Sequence, residues 1–177
     1  TVTDADGDVA TDTFVLTVNA AVRGRFIFYD QSKFDNNAAA ANADDDAAVA
    51  TDKAALLPGG TATFAHYTSY SRGINGVMVD IGGLAGTPTV SDFEFKVGND
   101  NTPSGWSTAP APTSFTVRSG DGTGGSARVT LLWANNAIQK QWLQVTVKAT
   151  AATGLAADDV FYFGNAIGEC GNSEANA

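Results

Sequence analysis

Closely spaced carboxylates are the first residues in this 177-residue chain with the means to do chemistry. Asp4, Asp6 and Asp8 alternate within the turn-forming DADGD, and Asp12 follows. Hard oxygens at such spacing suit Ca2+, which gathers about six to eight of them. An EF-hand is excluded, because counting from Asp4 the sixth loop position is Val9 and the twelfth is Val15. The run Asp44-Asp45-Asp46, with Asn42 and Asp52 nearby, and the turn Asn99-Asp100-Asn101 carry the same ligand chemistry. Each of these runs also reads as a solvated acidic turn. The metal expectation rests on Asp4, Asp6 and Asp8, with Ca2+ as the ion and the rigidity of a module junction as its use.

Aromatic rings offer a second chemistry. Trp106, Trp133 and Trp142, with Tyr67, Tyr70 and Tyr162, have faces on which sugar rings can stack. Trp133 closes an apolar strand pattern and Trp142 opens another, so core packing is expected of both. Trp106 differs, because it lies in the loop NDNTPSGWSTAPAP, where an aromatic serves recognition or folds back as a plug. It is the candidate glycan contact.

Catalysis finds little to use. His66 is the single histidine, within FAHY on an alternating stretch, and a sheet-surface or core-edge role is expected of it. Glycoside hydrolysis needs two carboxyl groups across a cleft, yet the glutamates are Glu94, Glu169 and Glu174, the last two in the tail. Asp92 and Glu94 would share one strand face. The lone Cys170 has no base nearby to activate it, and the glycines of GDGTGGS form a turn rather than a phosphate cradle. No catalytic residue is assigned, and the chain is expected not to be an enzyme.

The elements that would position these residues are strands. Thr11 to Asn19 alternates with Phe14, Leu16 and Val18 on one face, a half-buried strand of period two. Ala20 to Gly24 reads as a linker. Further strands are expected at Arg25–Tyr29, Thr61–Tyr67, Ile74–Ile81, Ser91–Val97, Ser114–Arg118, Arg128–Trp133, Trp142–Thr150 and Asp159–Phe163. Asn36 to Ala50 is Ala-rich but interrupted by Asn and Asp, a long loop with one helical turn at most. A helix near Asp52–Leu57 would be stopped by Pro58-Gly59-Gly60. The fold class is therefore all-β, a two-sheet antiparallel β-sandwich of jelly-roll or Ig-like type with an N-terminal extended strand. Three segments follow: residues 1–22 as donor-type strand and linker, 23–168 as the sandwich, and 169–177 as a tail.

Composition narrows the setting. Charged residues make up 16% of the chain, against ~25% in ordinary soluble proteins. The net charge of −9 argues against nucleic acid and anionic membranes, whose phosphates need clustered Lys and Arg. One cysteine excludes an internal disulfide framework. No apolar run approaches membrane-spanning length. The pattern is under way at Thr1, so an export signal or anchor is expected outside this segment.

The first 19 residues, with their T-D-x-F-x-L-T-V-N pattern, resemble the last strand of cadherin-like and Ig-like tandem repeats in large bacterial surface proteins. From Phe26 onward, the segments ATDKAALLPGGTATFAHYTSYSRGINGVMVDIGGL, SDFEFKVGNDNTPSGW, RVTLLWANNAIQKQWLQVTVKA and DVFYFGNAIGE resemble a module of very large secreted bacterial proteins. That module precedes a dockerin-like segment, which implies a secreted or cell-surface location. Its general shape is similar to cohesins and carbohydrate-binding jelly rolls, at the level of fold alone.

The leading expectation is an extracellular structural or adhesive module. It would assemble into chains or filaments by donor-strand complementation, with Phe14, Leu16 and Val18 entering a neighbour's groove. Its partners would be its own copies or neighbouring modules. The alternative is a carbohydrate-binding module of a secreted polysaccharide-degrading protein, with polysaccharide as the partner.

Overall fold

Strands with one apolar face need a second layer to cover it. In the computed structural model, which describes residues 2–3, 5–7, 9–10 and 19–168, two sheets cover each other. In chain order the strands are β1 (Val2–Thr3), β2 (Val9–Ala10), β3 (Ala21–Phe28), β4 (Tyr67–Thr68), β5 (Gly76–Gly82) and β6 (Phe93–Gly98). They continue as β7 (Ser107–Thr108), β8 (Ser114–Arg118), β9 (Ala127–Leu132), β10 (Trp142–Val147) and β11 (Asp159–Asn165). One sheet has the order β3-β5-β9-β8 and the other β4-β11-β10-β6-β7. All strand pairs are antiparallel except β4 with β11. This is the expected all-β sandwich.

Alternation builds the core. Ile27, Val77, Val79, Ile81, Val129 and Leu131 face inward from the four-stranded sheet, with Trp133 just beyond β9. Phe93, Phe95, Leu143, Val145, Val147, Phe161 and Phe163 meet them from the other sheet. Each such side chain removed from water contributes roughly 1.5–3 kcal/mol.

The four-stranded sheet is also covered on its outer face. Phe28, Met78 and Leu132 point away from the core yet are buried, packed with Ala48 and flanked by Ala41 and Val49. The segment from Tyr29 to Ala50 folds over that face in two 3-10 turns, Lys33–Asp35 and Ala43–Ala48. Burial on both faces explains why β5 reads GVMVDIG, without the polar alternation of a half-exposed strand.

Three local expectations fail. Ala21 to Gly24 is not linker but the start of β3, paired with β5 from Gly82 to Asp80. Thr61–Tyr67 is not a strand, because Phe64–His66 forms a 3-10 turn and only Tyr67–Thr68 joins a sheet. His66 Nδ1 accepts the Thr63 N–H at 2.9 Å, a local bond that competes with a ladder. Asp52–Leu57 forms no helix, because its backbone bonds go elsewhere. Ala54 N–H donates to Ala65 O at 2.8 Å, and Leu56 exchanges bonds of 3.0 and 2.9 Å with Tyr162. β1 and β2 pair in a two-stranded ribbon of their own. Of the alternating strand expected over Thr11 to Asn19, all but Asn19 lies outside the described residues.

Candidate functional site

Register places an aromatic row on the outer face of the five-stranded sheet. Trp142 opens β10 opposite Gly164 of β11 and Gly98 of β6, and Gly164 in turn faces Tyr67 of β4. Two glycines thus flank the Trp142 indole where side chains would otherwise crowd it. A Cβ on Gly164 would come within 2.8 Å of the Tyr67 Cβ and 3.1 Å of the Trp142 ring. A Cβ on Gly98 would run into the ring of Trp106, which lies over that position. Both glycines are therefore required by close approach.

The loop after β6 delivers Trp106. Pro103–Gly105 makes a 3-10 turn, and the Trp106 N–H returns to Pro103 O at 3.2 Å. Its indole N–H donates to Asp100, 3.2 Å to the carbonyl and 3.1 Å to Oδ1. The ring meets Tyr162 edge-on, centroids 5.8 Å apart. Trp106 is thus neither a free loop aromatic nor a core plug. It is half-buried and fixed in orientation.

Trp106, Trp142 and Tyr162 line a groove of about 570 Å³, walled by the turn from Leu56 to Ala62 and by Asn99, Asp100 and Asn101. A second depression of about 400 Å³ lies against Trp142, with Tyr67, Asn99, Lys140 and Asn165 in its lining. Trp142 and Asn99 border both. Burial pushes the Tyr162 phenol above its ordinary value, so it stays a hydroxyl at neutral pH, able to donate and accept. Trp142 is therefore half-buried on the outer face of the sheet and not the core residue that its strand-opening position implies. Its neighbour in expectation, Trp133, is in the core, 1% exposed, with its indole N–H on Pro110 O at 2.9 Å.

A second cluster sits on the opposite sheet. Asp30, Asp35 and Asp45 each place one carboxylate oxygen within 4.8 Å of the others, and all three residues are buried. Asp30 directly follows β3 and Tyr29, Asp35 ends the first 3-10 turn, and Asp45 lies in the second. Local bonds hold one oxygen of each. Asp30 Oδ2 accepts from Gln31 Nε2 at 3.3 Å, Asp35 Oδ1 from Asn37 N–H at 3.0 Å and Asp45 Oδ2 from Asn42 N–H at 2.9 Å. The other oxygens, Asp30 Oδ1, Asp35 Oδ2 and Asp45 Oδ1, are buried with no hydrogen-bond partner among the described residues. Burial pushes the Asp30 carboxyl up to about 6, with Gln31 pulling it down and the charges of Asp45 and Asp35 pushing it up. Burial raises Asp45 as well.

The sequence expectations distribute unevenly over these sites. Asp4 and Asp8 lie outside the described residues, as do the strand anchors Phe14, Leu16 and Val18 and the thiol Cys170; Asp6 sits exposed in a turn. Within Asp44-Asp45-Asp46, only Asp45 joins the buried cluster. Asp44 accepts from Asn36, and Asp46 pairs with Arg118 and Arg128. Asp52 pairs with Lys53. Asp92 lies in a 3-10 turn and accepts from Thr89 and Thr150, while Glu94 points outward from β6. Asp30 and Asp35 escape notice in the sequence, because single aspartates in DQSKFDNN form no acidic run.

No family model, no curated protein and no solved structure matches this chain. No helix among the described residues is long and apolar enough to cross a membrane.

Proposed function

We propose that this chain is a non-catalytic, extracellular adhesive module that binds polysaccharide through the groove between Trp106, Trp142 and Tyr162. The observation that carries this reading is the fixed aromatic set with two depressions that Trp142 borders. A pyranose ring has an apolar C–H face that stacks on an indole and a rim of hydroxyls that need polar partners. Asn99, Asn101 and the Tyr162 hydroxyl supply donors and acceptors at the groove edge. Shallow, open depressions suit a chain passing through better than a small molecule enclosed. The lining holds one acid, Asp100, whose Oδ1 already accepts from the Thr102 N–H at 2.7 Å and from Trp106. Glycoside hydrolysis uses two carboxyl groups, so this lining supports binding without cleavage.

Affinity electrophoresis through gels of algal and cell-wall polysaccharides tests the reading. The parent chain is expected to be retarded by at least one glycan. Trp142→Ala and Trp106→Ala are each expected to raise the dissociation constant by about 10–30-fold, as removal of an aromatic anchor does. Unchanged retardation in both variants, or no retardation of the parent in any gel, refutes it.

Assembly through the N-terminal segment is a second reading. It is favoured by the ribbon of β1 and β2, which belongs to neither sheet of the sandwich. Phe14, Leu16 and Val18 would enter a neighbouring copy and add a strand to its sheet. Negative-stain microscopy is expected to show chains of the parent protein and monomers of a version lacking residues 1–19. Monomers from both would end this reading and leave the glycan groove standing.

A further inference from the structure

We propose that Asp30, Asp35 and Asp45 hold a calcium ion, which fastens the segment from Tyr29 to Ala50 over the outer face of the four-stranded sheet. Three observations converge on it. The carboxylates cluster within 4.8 Å, and all three residues are at most 1% exposed. Each keeps one oxygen without a partner among the described residues, buried from water. Desolvating a carboxylate with nothing to answer its charge costs several kcal/mol, and a buried acceptor left unmade is rare in a folded protein. A cation satisfies all three at once.

The donor set selects the ion. Three carboxylates and no imidazole or thiolate suit a hard cation rather than zinc or copper. Ligands facing one another across calcium are about 4.6–5.2 Å apart, twice its bond length, which accommodates the observed spread. Magnesium keeps several of its waters, and residues so fully buried leave those waters little room. Calcium, with its flexible coordination, can complete its shell from nearby backbone carbonyls and amide side chains.

The surroundings show what the ion would do. The three aspartates come from the end of β3 and from both 3-10 turns, so one ion joins all three pieces of the segment. Asn75 pins the Asp30 backbone from below, donating to its carbonyl at 2.8 Å and accepting its N–H at 3.2 Å. At the far end, Asp46 is held by Arg118 and Arg128, and the Arg118 charge also acts on Asp45 without bonding to it. Beneath the segment lie Phe28, Met78 and Leu132. Without the ion, repulsion among the aspartates would loosen the cover over that apolar face. This role is independent of the glycan groove, which lies on the other sheet.

The test uses the full chain stripped of metal. Tb3+ takes calcium's oxygen ligands and is excited through phenols, and the Tyr70 hydroxyl donates to Asp30 O at 3.1 Å. Saturable terbium emission is expected, displaced by Ca2+ at concentrations where Mg2+ has no effect. A thousandfold excess of calcium over its dissociation constant is expected to raise the melting temperature by roughly 10 °C. Asp35→Asn and Asp45→Asn should each weaken calcium binding at least ~tenfold, whereas Asp4→Asn/Asp6→Asn/Asp8→Asn should leave it intact. Should a cluster variant fail to fold, hydrogen exchange on the unaltered chain decides, with amides of residues 33–48 slowing when calcium is added. Absence of terbium or calcium binding, or exchange in 33–48 that calcium does not change, overturns the site. So does affinity that survives both cluster variants or vanishes in the N-terminal one. An equal effect of magnesium overturns the choice of ion.

Discussion

Arg128→Leu is expected to destabilise the protein by about 3–5 kcal/mol, the cost of stranding a buried charge. Asp80 is fully buried on β5, and Arg128 from the neighbouring β9 meets it with two bonds of 2.8 Å. The Thr123 N–H and hydroxyl add bonds of 2.7 and 2.9 Å to Asp80 Oδ2. Arg128 also reaches Asp46 at 3.0 Å and lies over the Phe26 ring, so it ties the covering segment to the sheet. Leucine would remove every contact made by the guanidinium and leave the Asp80 charge in place, answered by Thr123 alone. Asp80→Asn/Arg128→Leu should recover most of the loss, because the amide oxygen can still accept from Thr123. Urea unfolding of parent, single and double variants measures this. A single-variant loss below about 1 kcal/mol, or a double variant no better than the single, would sink the account.

The same pair sets a pH dependence. Burial pushes the Asp80 carboxyl up, but Arg128 and Thr123 outweigh it and hold it below the ordinary carboxylate range. A group depressed on folding contributes stability that is whole above its unfolded value, near pH 4, and is lost as pH falls through the folded one. The stability gap between the parent and the double variant should therefore narrow below about pH 4 and stay constant above pH 6.

Trp133→Ala is expected to cost about 3–5 kcal/mol, equivalent to a fall of roughly 6–20 °C in melting temperature. Trp133 is the largest fully buried side chain among the described residues, and its ring stands perpendicular to that of Phe95 with centroids 5.3 Å apart. Its removal would leave a cavity between the sheets and an unpaired carbonyl at Pro110. Trp142→Ala, on the outer face, should cost far less stability while removing glycan affinity. Thermal unfolding of the two variants side by side checks the contrast. Equal losses would mean that Trp142 supports the core and that the groove reading misplaces it.

Much of the site was within reach of the sequence, though not its assembly. By residue type the three tryptophans and Tyr67, Tyr70 and Tyr162 can all stack on sugars, but position in the sequence singles out Trp106 alone. Trp142 is set aside at that stage, because an aromatic at the head of an apolar strand reads as core. Only pairing shows that it shares an outward row with Gly98 and Gly164, strands distant in the chain. Asp45 is visible in its acidic run, but nothing local separates it from Asp44 and Asp46, which bond on or near the surface.

By itself, the sequence determined the longer strands and the two-sheet class, because period-two alternation is a local property that survives without knowledge of partners. It also determined the depletion of charge and the acidic balance. Tertiary structure alone decided which carboxylates lose their water and which aromatics share a face. Burial depends on what folds over a residue, and Asp30, Asp35 and Asp45 meet only because the segment after β3 turns back across the sheet's second face. Register likewise depends on strands far apart in the chain, so the aromatic row exists only once β4, β6, β10 and β11 have paired.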